Sequence, residues 1–333
     1  MSQVTSSAPV TEPPVADNVD AVKSVEGRSP WQLFWKRFRR DRVAIVGAAF
    51  IIVLVLAAVL APAFVKFVAH RGPNDFPEDT TGLTNDFSIP IVGPGGQYWG
   101  GVDTLGRDVF VRTLYGARTS LEVAMASTAI AVVVGIALGL MAGYYGGKLD
   151  TLISRLVDIV LSLPVFLLAI GISAACGVTA EGCLGGHLKP GVPLITLIIA
   201  LFGWPYMTRI VRGQTLSVRE REFVEAARAT GFGGAHIMFR EILPSLVAPI
   251  IVYTTLLIPQ NIIFEASLSY LGVGIPPGTP SWGRMISDAT SGQLYRFAWW
   301  MLLFPGLCLV FTTLSFNLVG DGLRDALDPR TGR

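Results

Sequence analysis

The chain has 333 residues, 51% of them hydrophobic and only 15% charged, with a net charge of +2. Soluble domains carry nearer a quarter of charged residues, so the composition argues against a soluble globule. A net charge this small gives no basis for a nucleic-acid partner.

Residues 1–27 are rich in Ser, Pro and Val and set Glu12, Asp17, Asp20 and Glu26 against Lys23, with no early apolar core. Residues 1–28 therefore read as a disordered tail, not a cleaved signal. Residues 29–66 predict an interfacial helix followed by a first membrane span. Ser29-Pro30-Trp31-Gln32 combines a capping residue, a first-turn proline and a glutamine at capping-box distance. Trp31, Phe34, Trp35 and Phe38 then recur at helical spacing, with Lys36, Arg37, Arg39 and Arg40 mostly off that stripe. Such a helix lies on membrane lipid, aromatics among the headgroups and cations toward anionic lipid.

Six runs contain no charged residue: Val43 to Val65, Val123 to Gly147, Ile159 to Ala180, Pro190 to Thr208, Ile242 to Phe264 and Phe297 to Gly320. Each is roughly 19–25 residues, enough to cross a hydrocarbon core of ~30 Å. Backbone groups in lipid must be paired internally, so each run predicts a helix. The expected fold is an all-α polytopic membrane protein with six transmembrane helices. Roughly 18 of the Lys and Arg residues fall on the side of the two termini and about 8 on the other. That bias places both termini, and the 217–244 loop, in the cytoplasm.

Residues 67–118 are rich in Gly, Pro and Asp and predict an extracytoplasmic loop. It ends in Gly100-Gly101-Val102-Asp103-Thr104-Leu105-Gly106-Arg107-Asp108-Val109, then Arg112, then Gly116-Ala117-Arg118-Thr119-Ser120-Leu121. Residues 119–322 form the expected five-helix core and 323–333 a cytoplasmic tail. Gly135, Gly139 and Gly143 repeat every four residues, a ridge that admits a close helix from this chain or from a partner. Pro164, Pro205, Pro259 and Pro305 fall inside spans three to six, where kinks are tolerated. Cys176 and Cys183 flank a short outward loop, where a disulfide is allowed; their spacing alone leaves them paired or free. Cys308 reads as packing within the last span.

The loop SVREREFVEAARATGFGGAHIMFREILP occupies residues 217–244. Ser217 and Glu220 stand at capping-box spacing, which predicts a helix from about Val218 to Thr230. Gly231 is placed to end it in a left-handed conformation. After Gly233-Gly234 a second short helix is expected to reach Leu243 and break at Pro244. Two short helices with a glycine bend make a compact knob. Ala226, Ala227 and Ala229 keep its flank small enough for another protein's cleft, while Glu225 with Arg219, Arg221 and Arg228 supplies orienting charges. An ordinary polar loop between two spans would be shorter than this.

In the fifth span Asn261 and Glu265 lie at i, i+4 on one face. Ionisable residues at such depth face a bundle interior or water. Two readings stand: the outer mouth of a pathway, or a structural hydrogen bond to the turn Gly272 to Pro277. Catalytic signatures are missing. Gly143 to Leu149 has the wrong glycine spacing for a phosphate loop and lacks its Ser/Thr, and His70, His187 and His236 are far apart. No enzymatic activity, metal or cofactor is expected of this chain.

Phe223-Val224-Glu225-Ala226-Ala227-Arg228-Ala229-Thr230-Gly231, followed by Ile242-Leu243-Pro244, resembles the EAA signature of binding-protein-dependent ABC permeases. Asp103 to Leu121 resembles the GTDxxGRD…RxxxGARxSL segment of peptide-type permeases. Glu265, Leu268, Ser269, Leu271, Gly272 and Gly274 match their ExxLSxLGxG pattern, and Ser281-Trp282-Gly283 and the stretch from Phe316 to Arg330 match further segments. Residues 31–330 thus resemble the C-type permease of dipeptide, oligopeptide and nickel importers. The resemblance implies a type I importer fold in a bacterial inner membrane. It makes Val224, Glu225, Ala226, Ala227, Thr230, Gly231, Leu243 and Pro244 the surface that meets an ATPase. It implies a second permease, two cytosolic ATPase subunits that bind the ATP and Mg²⁺, and an extracytoplasmic solute-binding protein. Arg155 and Asp158, at i, i+3, are then a structural pair or an ATPase-facing contact. The implied cargo is a di- or oligopeptide, with nickel or another small solute as the alternative. A self-contained secondary transporter or channel would need internal repeats and a charged midplane, and neither is visible.

Overall fold

The computed structural model describes residues 30–77, 82–177, 183 and 188–327. The predicted tail 1–28, Ser29, His187 and the last residues from Asp328 lie outside the described residues. Among the described residues the regular structure is helical, with only isolated β-bridges beside it. Helix α1 spans Pro30–Phe38, α2 Arg42–Phe64, α3 Val109–Tyr145, α4 Gly147–Ser162, α5 Val165–Gly177 and α6 Val192–Val218. Then come α7 Glu222–Ala229, the short α8 Gly234–His236, α9 Leu243–Tyr270, α10 Trp282–Thr290 and α11 Trp300–Leu327. Among the described residues, five helical stretches are long and apolar enough to cross a membrane: Arg42–Ala69, Val109–Tyr145, Val192–Val218, Gly234–Tyr270 and Trp300–Leu327.

The third predicted span is not one straight helix. It is the pair α4 and α5, bent by 80°. Leu163 takes φ −81°, ψ 142°, the extended conformation that the residue before a proline prefers. Pro164 therefore separates two helices instead of kinking one. The first begins at Gly147 and carries Lys148, Asp150, Arg155 and Asp158, charges that the search for uncharged runs had left outside the span.

Two other boundaries move for related reasons. The predicted loop 67–118 ends early, because α3 already starts at Val109. Asp108 caps it, its Oδ1 accepting from the N–H groups of Phe110 at 2.8 Å and Val111 at 3.2 Å. Arg112 is helical and fully buried, held 3.6 Å from Asp103 Oδ2, while Asp103 also pairs with Arg107 at 2.7 Å. At the other end, the predicted tail from residue 323 begins inside α11, which runs to Leu327.

The Gly135, Gly139 and Gly143 ridge packs within the chain. A Cβ added at these positions would lie 2.5 Å from Met207 Cβ, 2.7 Å from Val211 Cβ and 2.5 Å from Thr215 Cβ, all on α6. The absence of side chains lets α3 and α6 meet backbone to side chain along their length. Leu54 and Ala58 of α2, Leu121 and Ala124 of α3, Ile258 and Ile262 of α9 and Phe316 of α11 form a second buried cluster. Asp41 caps α2 through Val43 N at 2.9 Å and Ala44 N at 3.1 Å, and α1 folds back on the end of α11. Phe34 is buried there, whereas Trp35 is exposed beneath the Arg39 guanidinium, 4.9 Å from its ring centroid. Beyond α5, Cys176 and Cys183 are joined by a disulfide with Cα atoms 4.9 Å apart.

Candidate coupling surface and pathway

Helix α6 does not stop where local sequence suggests. Thr215 and Val218 are buried, and their packing carries the helix through Ser217, so the predicted capping box with Glu220 does not form. The chain turns at Arg219–Arg221, and α7 begins at Glu222 after an extended Arg221 (φ −83°, ψ 150°) with no side-chain cap. Glu222 and Glu225 occupy the first turn, where negative charge suits the helix dipole. The end of α7 is a Schellman motif: Gly231 N–H donates to Arg228 O at 3.0 Å and Phe232 N–H to Ala227 O at 3.2 Å. Gly231 has φ +83°, the left-handed conformation that glycine adopts without penalty. Thr230 Oγ1 adds bonds to Ala226 O at 3.1 Å and Ala227 O at 2.9 Å.

The second half of the loop differs from expectation. Pro244 does not break a helix. A π-turn over Ile237–Ile242 leads straight into α9, with Leu243 N–H reaching back to Met238 O, and Pro244 sits in the first turn of α9. The wider π-turn just before it suits proline, whose ring clashes with the carbonyl four residues back in a regular α-helix.

The resulting knob has two faces. Val224 and Ala227 point inward, into a cluster with Val211, Val218, Ile237, Met238, Ile242 and Leu246. Glu225, Ala226, Thr230, Gly231 and Pro244 are exposed, and Leu243 is half-buried at the base. The predicted set therefore divides into anchors and a presented surface. Sequence reasoning passed over the aromatics of that surface: Phe223, Phe232 and Phe239 are 38%, 50% and 56% exposed. Three aromatics spread along the loop were the available signal, since grouped exposed apolar side chains mark interaction sites. Two arginines seat the knob on the end of α3. Arg219 Nη1 donates to Gly143 O at 3.0 Å, and the Arg228 guanidinium lies 5.2 Å from the Tyr144 ring centroid.

The structure separates Asn261 from Glu265. Asn261 donates to Thr128 Oγ1 at 2.8 Å and lines an apolar cavity of about 370 Å³ between α5, α6 and α9, with Phe166, Phe202, Tyr206 and Gln260. Glu265 does not line this cavity and has no exposed surface. Its carboxylate accepts from Ser120 Oγ at 2.8 Å and Ser269 Oγ at 2.7 Å. Ser269 Oγ in turn accepts from Ile275 N at 3.0 Å, so Glu265 ties α3 to the turn after α9. This geometry contains a hydrogen-bonded link from Glu265 through Ser269 to the turn Gly272 to Pro277. The pair expected between Arg155 and Asp158 is also rearranged: Asp158 bonds Arg209 at 2.9 Å, and Asp150 bonds Arg212 through both carboxylate oxygens.

Residues 135–333 match the family described as binding-protein-dependent transport system inner membrane component, and residues 29–81 match the N-terminal transmembrane domain of oligopeptide transport permease C. The chain is 40% identical to the dipeptide transport system permease protein DppC of Alkalihalophilus pseudofirmus, over 96% of this chain and 94% of that one. It is 38% identical to the glutathione transport system permease protein GsiD of Pectobacterium atrosepticum, over 91% and 92% of the two chains. Among solved structures it resembles a chain of the inward-facing MetNI methionine ABC transporter, with a TM-score of 0.52 and 19% identity over 66% of this chain and 96% of that chain. At that identity the likeness concerns the fold.

Proposed function

Since the chain belongs to the binding-protein-dependent transport system inner membrane component family, the permease subunits of ABC importers, we propose that it forms half of a pathway for short peptides and that α7 couples this pathway to a separate ATPase. ATP hydrolysis is the work of other subunits. The proposed assembly adds a second permease, two cytosolic ATPases that bind ATP and Mg²⁺, and an extracytoplasmic solute-binding protein. In this reading the membrane is the bacterial inner membrane, with both termini and α7 on the cytoplasmic side. The relatives' names support the cargo class: a dipeptide and glutathione are both short peptides. Nickel or another solute is the weaker alternative.

One observation carries the coupling role, the two-sided seating of α7. Val224 and Ala227 fix it to the core shared by α6 and α9, while Phe223, Glu225, Ala226 and Phe232 face outward. A force applied to the outer face passes through that core into α6 and α9. Both helices line the cavity that holds Asn261, so a shift of the knob changes the cavity. Alternation between two arrangements follows if ATPase closure favours one of them.

The test is co-purification. The wild-type chain is expected to retain its ATPase partner and to support ATP-dependent dipeptide uptake in vesicles. Glu225→Lys should insert normally yet retain at least about tenfold less ATPase, as expected for reversing a charge at a complementary interface. Undiminished ATPase retention by Glu225→Lys, or uptake with no ATPase present, would refute the coupling role.

A further inference from the structure

A second cavity, of about 320 Å³, lies at the end of the bundle opposite α7, where α2 finishes and α3 begins. Phe64, Trp99 and Phe110 form its walls, with ring centroids 5.4 to 5.9 Å apart. His70, Arg71, Gln97 and Asp108 supply the polar lining. The backbone places two of these deliberately off the axis of α2. A π-turn over Val65–Ala69 ends in His70 at φ 53°, closed by His70 N–H to Val65 O at 2.7 Å, so the helix stops there and His70 and Arg71 join the cavity lining.

Arg71 is set for a ligand. Its guanidinium is held on Tyr98, 4.4 Å from the ring centroid, and its Nη1 is buried with no hydrogen-bond partner. A buried cationic donor left unpaired is costly. Among the described residues no carboxylate lies within ion-pair distance of Arg71. Asp108, the carboxylate in the lining, is already occupied in capping α3. Burial raises its pKa above the ordinary value, against the pull of Val111 N–H, Phe110 N–H and Arg71. The unmet chemistry is therefore that of an anion.

Position selects the source of that anion. The cavity begins at the end of the apolar stretch Arg42–Ala69. Val68 is in its lining, and Val59, Leu60 and Phe67 are 67%, 56% and 71% exposed below and beside it. An apolar strip thus leads along α2 to a cationic socket with tryptophan at its rim, an arrangement suited to the membrane–water boundary. We propose that this cavity binds the phosphodiester headgroup of a membrane phospholipid, with phosphate oxygens accepting from Arg71 and an acyl chain running along the exposed face of α2.

The full chain, purified from membranes in detergent, tests this by native mass spectrometry and thermal unfolding with added phosphatidylglycerol or phosphatidylethanolamine. Wild type should retain at least one more phospholipid than Arg71→Ala, with about tenfold weaker retention in the variant, in the range for losing a charged hydrogen bond. Gln97→Trp, at an exposed position, should fill the mouth and displace the lipid with Arg71 still in place. Added phospholipid should raise the unfolding temperature of wild type and leave both variants unmoved. Equal retention by wild type and Gln97→Trp overturns the site. A rise of the same size with inorganic phosphate alone overturns the lipid assignment.

Discussion

At Gly231 an added Cβ would meet nothing within 4 Å, yet φ is +83°. Substitution there is penalised by the backbone and not by crowding. Gly231→Ala should cost about 1–2 kcal/mol and fray the last turn of α7, seen as faster hydrogen exchange at the Gly231 and Phe232 amides. The glycine's role was legible in the sequence because a left-handed cap is a local event. Ser217 and Glu220 were equally suggestive locally and misled, because buried Thr215 and Val218 continue α6 past them. Glu265 belongs to the same lesson. Its spacing from Asn261 was correct for one helical face, but only packing reveals that Ser120 and Ser269 enclose it.

Among the elements, the seam between α3 and α6 is the most sensitive to volume. Gly139 of α3 faces Val211 Cβ at 2.7 Å from a would-be Cβ, whereas Gly213, on α6, has open space around it. Gly139→Leu should force the helices apart, cost at least about 1–3 kcal/mol and lower the unfolding temperature. Gly213→Ala should instead raise stability by about 0.5–1 kcal/mol through the intrinsic preference of a helix for alanine. The ridge was visible as a period of four; the helix it meets was not, since periodicity carries no address. The start of α3 was hidden for a different reason. Arg112 looks like a loop residue until Asp103 is found beside it, and a pairing that spans a turn and a helix start has no fixed spacing to read.

Taken whole, the molecule is fastened differently at its two ends. The end bearing α7 is held mainly by apolar packing around Ile237, Ile242 and Leu246, with Arg219 tied to Gly143 O and Arg228 over Tyr144. The opposite end is held by polar ties: Arg112 Nη1 to Pro73 O at 2.9 Å, Trp282 Nε1 to Thr113 O at 3.2 Å and Trp300 Nε1 to Val102 O at 3.0 Å. Arg112→Ala removes the donor to Pro73 O and Asn74 Oδ1 and frees the 70s segment, while Asp103 keeps Arg107 as its partner. Leaving such part-buried acceptors without their charged donor costs about 1–3 kcal/mol, so limited proteolysis near residues 71–77 should accelerate. Hydrogen exchange in α7 should stay unchanged, because no tie of Arg112 reaches it. A global loosening that includes α7 would contradict this independence of the ends.

The elbow at Leu163-Pro164 changes what the bent pair α4 and α5 can do. A straight rod can only slide or tilt as one piece, but α5 is a separate arm of 13 residues, roughly 20 Å long at 1.5 Å per residue. Pivoting it by ten degrees moves its tip roughly 3.5 Å, about the length of one residue in an extended peptide chain. Phe166, near the pivot, borders the cavity, and Cys176, at the tip, is leashed to Cys183. The arm can therefore swing only as far as that leash allows.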